Sequence, residues 1–447
     1  MTKRNTIILG AAGRDFHNFN TFFKNNDNYN VVAFTAAQIP DIDGRRYPSG
    51  LAGDYYPNGI PIYPEEDLHI LIKRFNVQDC IFSYSDVSYK KVMSIGSIVQ
   101  AAGANFILLG PDETMIKSSK PVVSVCAVRT GCGKSQTSRK IIELLMQKGK
   151  KVIAIRHPMP YGNLLNQSLQ RFAEIDDLKK HNCTIEEMEE YEPHIVRGNV
   201  IYAGVDYEAI LREAEKDENG CDVIVWDGGN NDLPFYNTDL MITVTDPHRV
   251  GHELTYYPSE VNLRMADVVI INKVDSAEKK DIQKLRENIA SVNSKAMVIE
   301  ANSPIQVDDA EIIKNKKVLV VEDGPTLTHG EMKFGAGVVA AQRFGASEII
   351  DPRPFLFGSL LETFEKYPDT GPILPAMGYG KKQLHDLERT IQNTECEGVI
   401  IATPIDLSRV LKINKPYTRV YYSLQEAGEP KLGEILDQFL QEHENIF

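Results

Sequence analysis

One stretch limits the fold more than any other: VVSVCAVRTGCGKSQTSRKIIELL, residues 122–145. An unbroken apolar strand runs into a glycine turn that ends Gly133-Lys134-Ser135 and passes directly into a helical pattern. A phosphate-binding loop needs these parts. Glycines let backbone N–H groups approach phosphate oxygens, the lysine neutralises the β and γ oxygens, the serine hydroxyl offers a ligand to Mg²⁺, and the helix N-terminus adds positive potential. The residues expected to contact a nucleotide here are Thr130, Gly131, Cys132, Gly133, Lys134, Ser135 and Gln136. Such a loop demands a buried strand before it and a helix packed back on the sheet after it, which points to an α/β architecture.

The rest of the chain has the same rhythm. Apolar runs at 6–9, 31–35, 80–84, 106–109, 152–156, 223–226, 240–244, 268–271, 318–321, 399–401 and 420–422 read as strands. Helix-length stretches such as 135–147, 208–215 and 278–291 lie between them. The polar segment GPDETMIKSSKP, 110–121, reads as a boundary. The expected layout is a Rossmann-like parallel-sheet domain over 1–118, holding substrate or phosphate. A P-loop nucleotide-binding α/β core follows over 119–310, and a C-terminal α/β part over 311–447 continues it. The acidic run IEEMEEYE, 185–192, reads as a solvated helix face.

With 447 residues, 42% of them hydrophobic, the chain buries a full core without disulfides or metals. Its net charge of −13 argues against nucleic acid or an anionic membrane as partner, while leaving room for a small anion read by a few local cations. The six cysteines show no C-x-x-C pair and no zinc-ligand spacing, which suits reduced thiols and a cytoplasmic location. No run reaches the ~20 apolar residues of a membrane span, and the first apolar run leads into a glycine turn rather than a cleavage site.

Two further motifs support nucleotide chemistry. CDVIVWDGGNND places Asp227 at the tip of an apolar strand, where such folds hold the magnesium shell, and Gly228 and Gly229 permit close approach to a γ-phosphate. ADVVIINKVD places Asn272, Lys273 and Asp275 after another strand, where N-K-x-D reads a nucleotide base; this leaves GTP as an alternative to ATP. The metal ligands expected are Ser135 and Asp227.

Candidate anion contacts recur at strand ends. Gly13 and Arg14 follow the first strand in GAAGRD, an incomplete dinucleotide fingerprint. Thr35 stands where an acidic ribose-binding residue would be needed, which argues against NAD. Ser83-Tyr84-Ser85-Asp86, Arg156 and His157, the run from Asp246 to His248 and Arg249, and GPTLTHGE at 324–331 hold similar positions. Arg156 and Arg249 have the chemistry to clamp phosphate, and His157 and His248 to donate or shuttle protons. Lys381 and Lys382 open a late helix beside Gly380, where cations oppose the helix dipole unless an anion or solvent balances them.

The loop departs from the common pattern at Val128, which replaces its first glycine, and is closer to the K-G-G-x-G-K-[ST] variant with Arg129 and Thr130 in the first positions. It resembles the P-loop proteins of the signal-recognition, MinD and dethiobiotin synthetase groups, a likeness that implies a phosphate contact for Arg129. Taken together and in order, RTGCGKSQ, RHPMPYG, VWDGGNND, DPHRVGHE, INKVD and EDGPTLTHGEM resemble the cyclic 2,3-diphosphoglycerate synthetase family over nearly the whole chain. That resemblance implies an ATP- and Mg²⁺-dependent ligase that closes an intramolecular phosphoanhydride in a small anionic substrate, 2,3-diphosphoglycerate. Lys134, Arg129 and Asp227 would be catalytic, and Gly13, Arg14, Arg156, His157, His248 and Arg249 would hold substrate. Analogy also implies a homodimer. The competing class is a GTP-switch or metal-insertion chaperone, for which no C-x-C-C or His-rich segment is present.

Overall fold

The computed structural model describes residues 2–11, 13–37, 44–157, 162–229, 231–323, 335–368, 370–376 and 381–446. They divide into two compact units. The first comprises Met1–Arg171, Asn199–Glu300 and Glu426–Phe447; the second comprises Phe172–Gly198 and Ala301–Gln425.

The first unit contains two large sheets. The N-terminal one is built from β1 (Arg4–Leu9), β2 (Tyr29–Ala36), β3 (Arg46–Tyr47), β4 (Ile60–Pro64) and β5 (Asp79–Phe82), with β6 (Val87–Ser88) standing apart and β7 (Asn105–Ile107) closing the edge. Its order is β3-β4-β2-β1-β5-β7, parallel except where β3 meets β4. Side chains of β1 alternate between faces, as a pleated strand must. Ile8 joins an aromatic core with Phe16, Phe19, Phe23, Phe34 and Tyr47, while Ile7 and Leu9 join the opposite core with Leu71, Val92 and Val99. Leu9 pairs with both Thr35 and Phe82, so three strands end level with one another.

The second sheet takes β8 (Val122–Ala127), β9 (Val152–Arg156), β10 (Gln170–Phe172), β11 (Val200–Ala203), β12 (Val223–Trp226), β13 (Leu240–Thr245), β15 (Val268–Ile271) and β16 (Met297–Asn302). A short β14 (Tyr256–Tyr257) pairs antiparallel with β6. The order is β10-β11-β9-β12-β8-β13-β15-β16, followed by the short strand Gln425–Glu426. Six of these strands are near-continuous apolar runs because both faces are covered, as parallel sheets require. With β8 central and β12 and β13 on either side, the ends of β8, β9, β12, β13 and β15 share one edge of the sheet.

The expected boundary near 110–120 separates two sheets but not two compact units. Ile116 bridges to Tyr236, and buried ion pairs described below join the sheets. The expectation that 311–447 continues the nucleotide core applies only to its last part. The helix Leu432–Glu442 returns to the first unit, where Asp437 pairs with Lys148 just past the end of the P-loop helix.

The second unit has its own sheet of β17 (Ile305–Val307), β18 (Lys317–Asp323), β19 (Glu348–Ile349), β20 (Leu374–Ala376), β21 (Gly398–Ala402) and β22 (Tyr417–Tyr422), ordered β17-β22-β21-β18-β19 with β20 also on β18. Its core packs Leu319, Val321, Val399 and Ile401 on one face and Val318, Val320 and Ile400 on the other. The helix Ile185–Ile195 belongs here and corrects the reading of its acidic run as a solvated face: Glu187, Glu189 and Glu192 are buried. Glu187 completes a capping box with Thr184, and Glu192 takes a bond from Arg409 at 3.1 Å. Buried acids with such partners mimic a polar face in sequence. Among the described residues, no helix is long and apolar enough to cross a membrane.

Candidate functional site

The P-loop joins β8 to the helix Lys134–Gln147. Gly131 and Gly133 have φ of 82° and 106°, the left-handed region glycine tolerates. A Cβ on Gly133 would also overlap the Asn272 amide. Three side chains from neighbouring strand ends hold successive carbonyls of the loop. Arg249 donates to Thr130 O at 2.8 Å, Lys273 to Gly131 O at 2.7 Å, and Asn272 to Cys132 O at 2.9 Å. These three bonds fix the path of the loop from its carbonyl side.

Asp246 ties this support together. It accepts from Lys273 at 2.7 Å and lies 3.5 Å from Arg249. Burial raises its pKa, but Lys273 and Arg249 outweigh burial and hold the carboxyl below its ordinary range. Asn272, Lys273 and Arg249 therefore contact the loop itself, and Asp275 is exposed beyond them. His248 bonds Ser276 at 2.9 Å, on the NKVD side of the loop.

At the tip of β12, Asp227 is fully buried and gathers the cations. Lys134 pairs with its Oδ1, Ser138 donates to the same oxygen at 2.8 Å, and Arg156 reaches Oδ2 at 2.9 Å. The loop lysine and the β9 arginine thus converge on one carboxylate beside Gly228 and Gly229. Ser135, in the first helical turn, is half-buried, and Gln136 behind it is buried.

His157 follows Arg156 and fills a slot left by two glycines. A Cβ at Gly13 would lie 2.7 Å from its Nε2, and one at Gly229 would lie 2.8 Å from its Cε1. Its Nε2 is 3.7 Å from Asp232 Oδ2. Burial, then the charges of Arg156, Lys134 and Arg14, push its pKa down to about 3, so the imidazole is neutral near pH 7. Asp232 is buried too, and burial raises its carboxyl against the pull of Arg14.

Arg14 spans the two sheets of the unit. It donates to Asp232 Oδ1 at 3.0 Å and to Leu233 O at 2.6 Å, lies 3.4 Å from Thr114 Oγ1 and Pro234 O, and stacks 4.2 Å above the Phe235 ring. Its donors serve the protein. Arg129 differs from its expected placement in the same way. It is buried and donates through Nε to Asp86 Oδ1 at 2.5 Å. It also meets His252 Nδ1 at 2.6 Å and lies 3.7 Å over the Tyr256 ring. The structure thus brings Lys134, Asp227, Arg156, His157 and Gly13 together, sets Asn272, Lys273 and Arg249 behind the loop, and leaves His248 and Asp275 at its outer side.

Beside Arg14 and Asp232 lies a narrow crevice walled by Asn18, Ser83, Tyr84 and Tyr257. Asn18 donates to Ser83 Oγ at 2.9 Å, and its buried Oδ1 has no partner among the described residues. Residues 158–161, Asn230, the whole of GPTLTHGE, Gly380 and the side chain of Lys381 lie outside the described residues. Sequence reasoning did not single out Ser138 or Asp232. Asp232 sits at the end of WDGGNND, and only the distant Arg14 reveals its use.

Similarity to known proteins bears on the fold and the family. The family model for the CobW/HypB/UreG nucleotide-binding domain matches residues 223–300. Over 444 residues the chain is 62% identical to the arginine synthetase ArcE of Thermococcus kodakarensis, covering 99% of this chain and 98% of that protein. It is 22% identical over 240 residues to the cyclic 2,3-diphosphoglycerate synthetase of Methanosphaera stadtmanae, covering 51% of this chain and 50% of that one. Among solved structures, LpxK from Aquifex aeolicus in complex with ATP aligns with a TM-score of 0.47 at 14% identity, over 83% of this chain and 99% of LpxK. The fold is that of an α/β P-loop nucleotide-binding protein.

Proposed function

The chain belongs to the family of the arginine synthetase ArcE, and from that premise we propose that it makes L-arginine at the expense of a nucleoside triphosphate, ATP in the first instance. Arginine carries three nitrogens on its guanidinium carbon. A synthetase that installs the last of them starts from the ureido acid, L-citrulline, and replaces an oxygen by nitrogen. The ureido oxygen attacks the γ-phosphorus and ADP leaves. Ammonia then adds to the activated carbon, and phosphate departs with the former ureido oxygen. Citrulline, ammonia and ATP give arginine, ADP and phosphate.

The observation that carries this reading is the convergence of Lys134 and Arg156 on Asp227, beside His157 in its glycine slot. A bound triphosphate offers both cations a stronger partner than a single carboxylate, and they would stabilise charge on the transferring phosphoryl group. Ser135 and Asp227 are hard oxygen donors and fit Mg²⁺, with phosphate oxygens and water completing its shell. When bound, Mg²⁺ neutralises phosphate charge. With its pKa held near 3, the neutral imidazole of His157 is suited to orienting the incoming nitrogen by a hydrogen bond rather than to carrying its proton away.

Formation of cyclic 2,3-diphosphoglycerate is the second reading, supported by the relative at 22% identity. It shares the first step, γ-phosphoryl transfer to a substrate oxygen. Arg14 is engaged by Asp232, Leu233 and Pro234, and among the described residues this leaves a bisphosphate one cation fewer, which favours the ureido acid. The test is ³¹P NMR of Mg²⁺ and ATP with enzyme, adding either citrulline with ammonium or 2,3-diphosphoglycerate. Phosphate and ADP that form only with citrulline and ammonium, together with arginine, support the reading. A cyclic anhydride signal from the bisphosphate, or turnover indifferent to both acids, overturns it. GTP in place of ATP settles the nucleotide.

A further inference from the structure

A neutral imidazole carries one proton; the nitrogen that holds it donates and the other accepts. His157 is neutral near pH 7, so its use depends on which nitrogen that is. The place of the ring is set by two glycines. A Cβ at Gly13 would crowd Nε2 at 2.7 Å, and one at Gly229 would crowd Nδ1 at 2.9 Å.

The two nitrogens meet different surroundings. Nε2 has Asp232 Oδ2 3.7 Å away. The other oxygen of that carboxylate is taken, by Arg14 Nε at 3.0 Å and by the Leu233 N–H at 2.8 Å. The Asp232 backbone is tied as well. Its N–H donates to Gly229 O at 3.0 Å, which closes the turn against which the ring lies. Arg14, Asp232 and His157 therefore stand in a row: the arginine orients the carboxylate, and the carboxylate faces one nitrogen of the ring. Asp232 is only 4% exposed, so water and salt screen it little. Among the described residues no hydrogen bond is made to Nδ1. A proton on Nε2 meets the carboxylate, whereas a lone pair there would oppose it. A small shift closes the gap to a hydrogen bond, and bonds between reacting groups are often long before the reactants bind.

We propose that Asp232 is the positioning residue for His157. It holds the ring proton on Nε2 and leaves the lone pair on Nδ1. There the lone pair accepts a hydrogen bond from an N–H of incoming ammonia, which turns the nitrogen's own lone pair toward the activated carbon. The role of Nδ1 rests on the arginine-forming reading of the site; the tautomer rests on the geometry of the pair alone. Arg14 serves the same reaction at one remove, by fixing the carboxylate.

Long-range ¹H–¹⁵N correlation NMR of histidine-labelled protein reads the tautomer directly, with the His157 signals identified by their loss in His157→Gln. The expected wild-type ring has a protonated Nε2 and an unprotonated Nδ1. A proton on Nδ1, or an even mixture, overturns the proposal. Asp232→Asn keeps the shape of the side chain and offers an N–H to Nε2 instead of a carboxylate. The ring should then switch to the Nδ1–H form. The value of kcat for arginine formation should fall about tenfold or more, with KM for ATP within about twofold, as for a misplaced reacting group. Folded Asp232→Asn that keeps wild-type kcat, or that loses activity while its ring stays Nε2–H, overturns the proposal. Should the variant fail to fold, the wild-type tautomer decides. If the wild type makes no arginine from citrulline and ammonium, the arginine reading fails separately. The tautomer needs no substrate and still decides what Asp232 does to His157.

Discussion

Lys134 and Arg156 approach Asp227 from different elements, the P-loop helix and the tip of β9, and take opposite oxygens of its carboxylate. The pair of cations is thus stored on an internal counter-ion, ready for a ligand of higher charge. Lys134→Ala leaves Arg156 and Ser138 on Asp227, so the fold should survive. Phosphate release should fall by about 10²–10³-fold or more, the cost of removing one charge-stabilising group. A stopped-time phosphate assay on folded protein checks this, and retained turnover would remove the loop lysine from the chemistry.

Asp227→Asn should behave differently. Two buried cations lose their shared partner, and breaking a buried ion pair from one side costs about 3–5 kcal/mol. The melting temperature should drop. It should recover in part with Mg²⁺-free ATP, because the triphosphate replaces the missing charge by mass action. Thermal melts with and without ATP test this; a drop that ATP does not reverse would mean the nucleotide does not reach these cations.

Gly13, just before the helix Arg14–Asn18, lies against the His157 ring. A Cβ there would fall 2.7 Å from His157 Nε2. Gly13→Ala should displace the imidazole and lower coupled turnover by about tenfold or more while ATP affinity stays within about twofold, since misplacing a group by an ångström costs about 10²-fold in favourable cases. An isothermal titration beside the rate assay separates the two.

His157 also sets a pH dependence. Its folded pKa of about 3 lies below the ordinary value of 6.5, so the unfolded chain binds the proton first as pH falls. Its effect on stability is absent above about pH 6.5, and stability is lost progressively from there toward pH 3, at most about 1.4 kcal/mol per pH unit. Buried His17 is also shifted down, by burial and Arg14, and adds loss of the same sign. His157→Gln should therefore flatten part, and not all, of the slope of unfolding free energy between pH 6.5 and 4.5. Denaturant titrations at several pH values measure it, and an unchanged slope would place His157 in solvent.

The parallel core was legible because buried strands announce themselves as apolar runs, and each of the twelve strand positions read from sequence carries a strand. Short or edge strands such as β4, β11 and β16 were missed, since Ile60–Pro64 contains two prolines and Met297–Asn302 alternates weakly. The phosphate loop, Asp227 and NKVD were visible as local patterns. What Arg14 and Arg129 bind was not, because their partners Asp232 and Asp86 lie far away in sequence and a cation beside a phosphate motif reads as a phosphate ligand. The acidic helix was misread for the same reason: Arg409, the partner of Glu192, follows it by more than two hundred positions.

The helix Leu432–Glu442 packs against the P-loop helix, and the strand Gln425–Glu426 borders β16. Between β16 and that strand the chain makes most of another unit. During synthesis, therefore, the nucleotide core waits with an open sheet edge while some 120 further residues emerge. Its flank closes only after the inserted unit has been made. Maturation of the phosphate loop is thereby tied to completion of a segment that supplies none of the loop's residues.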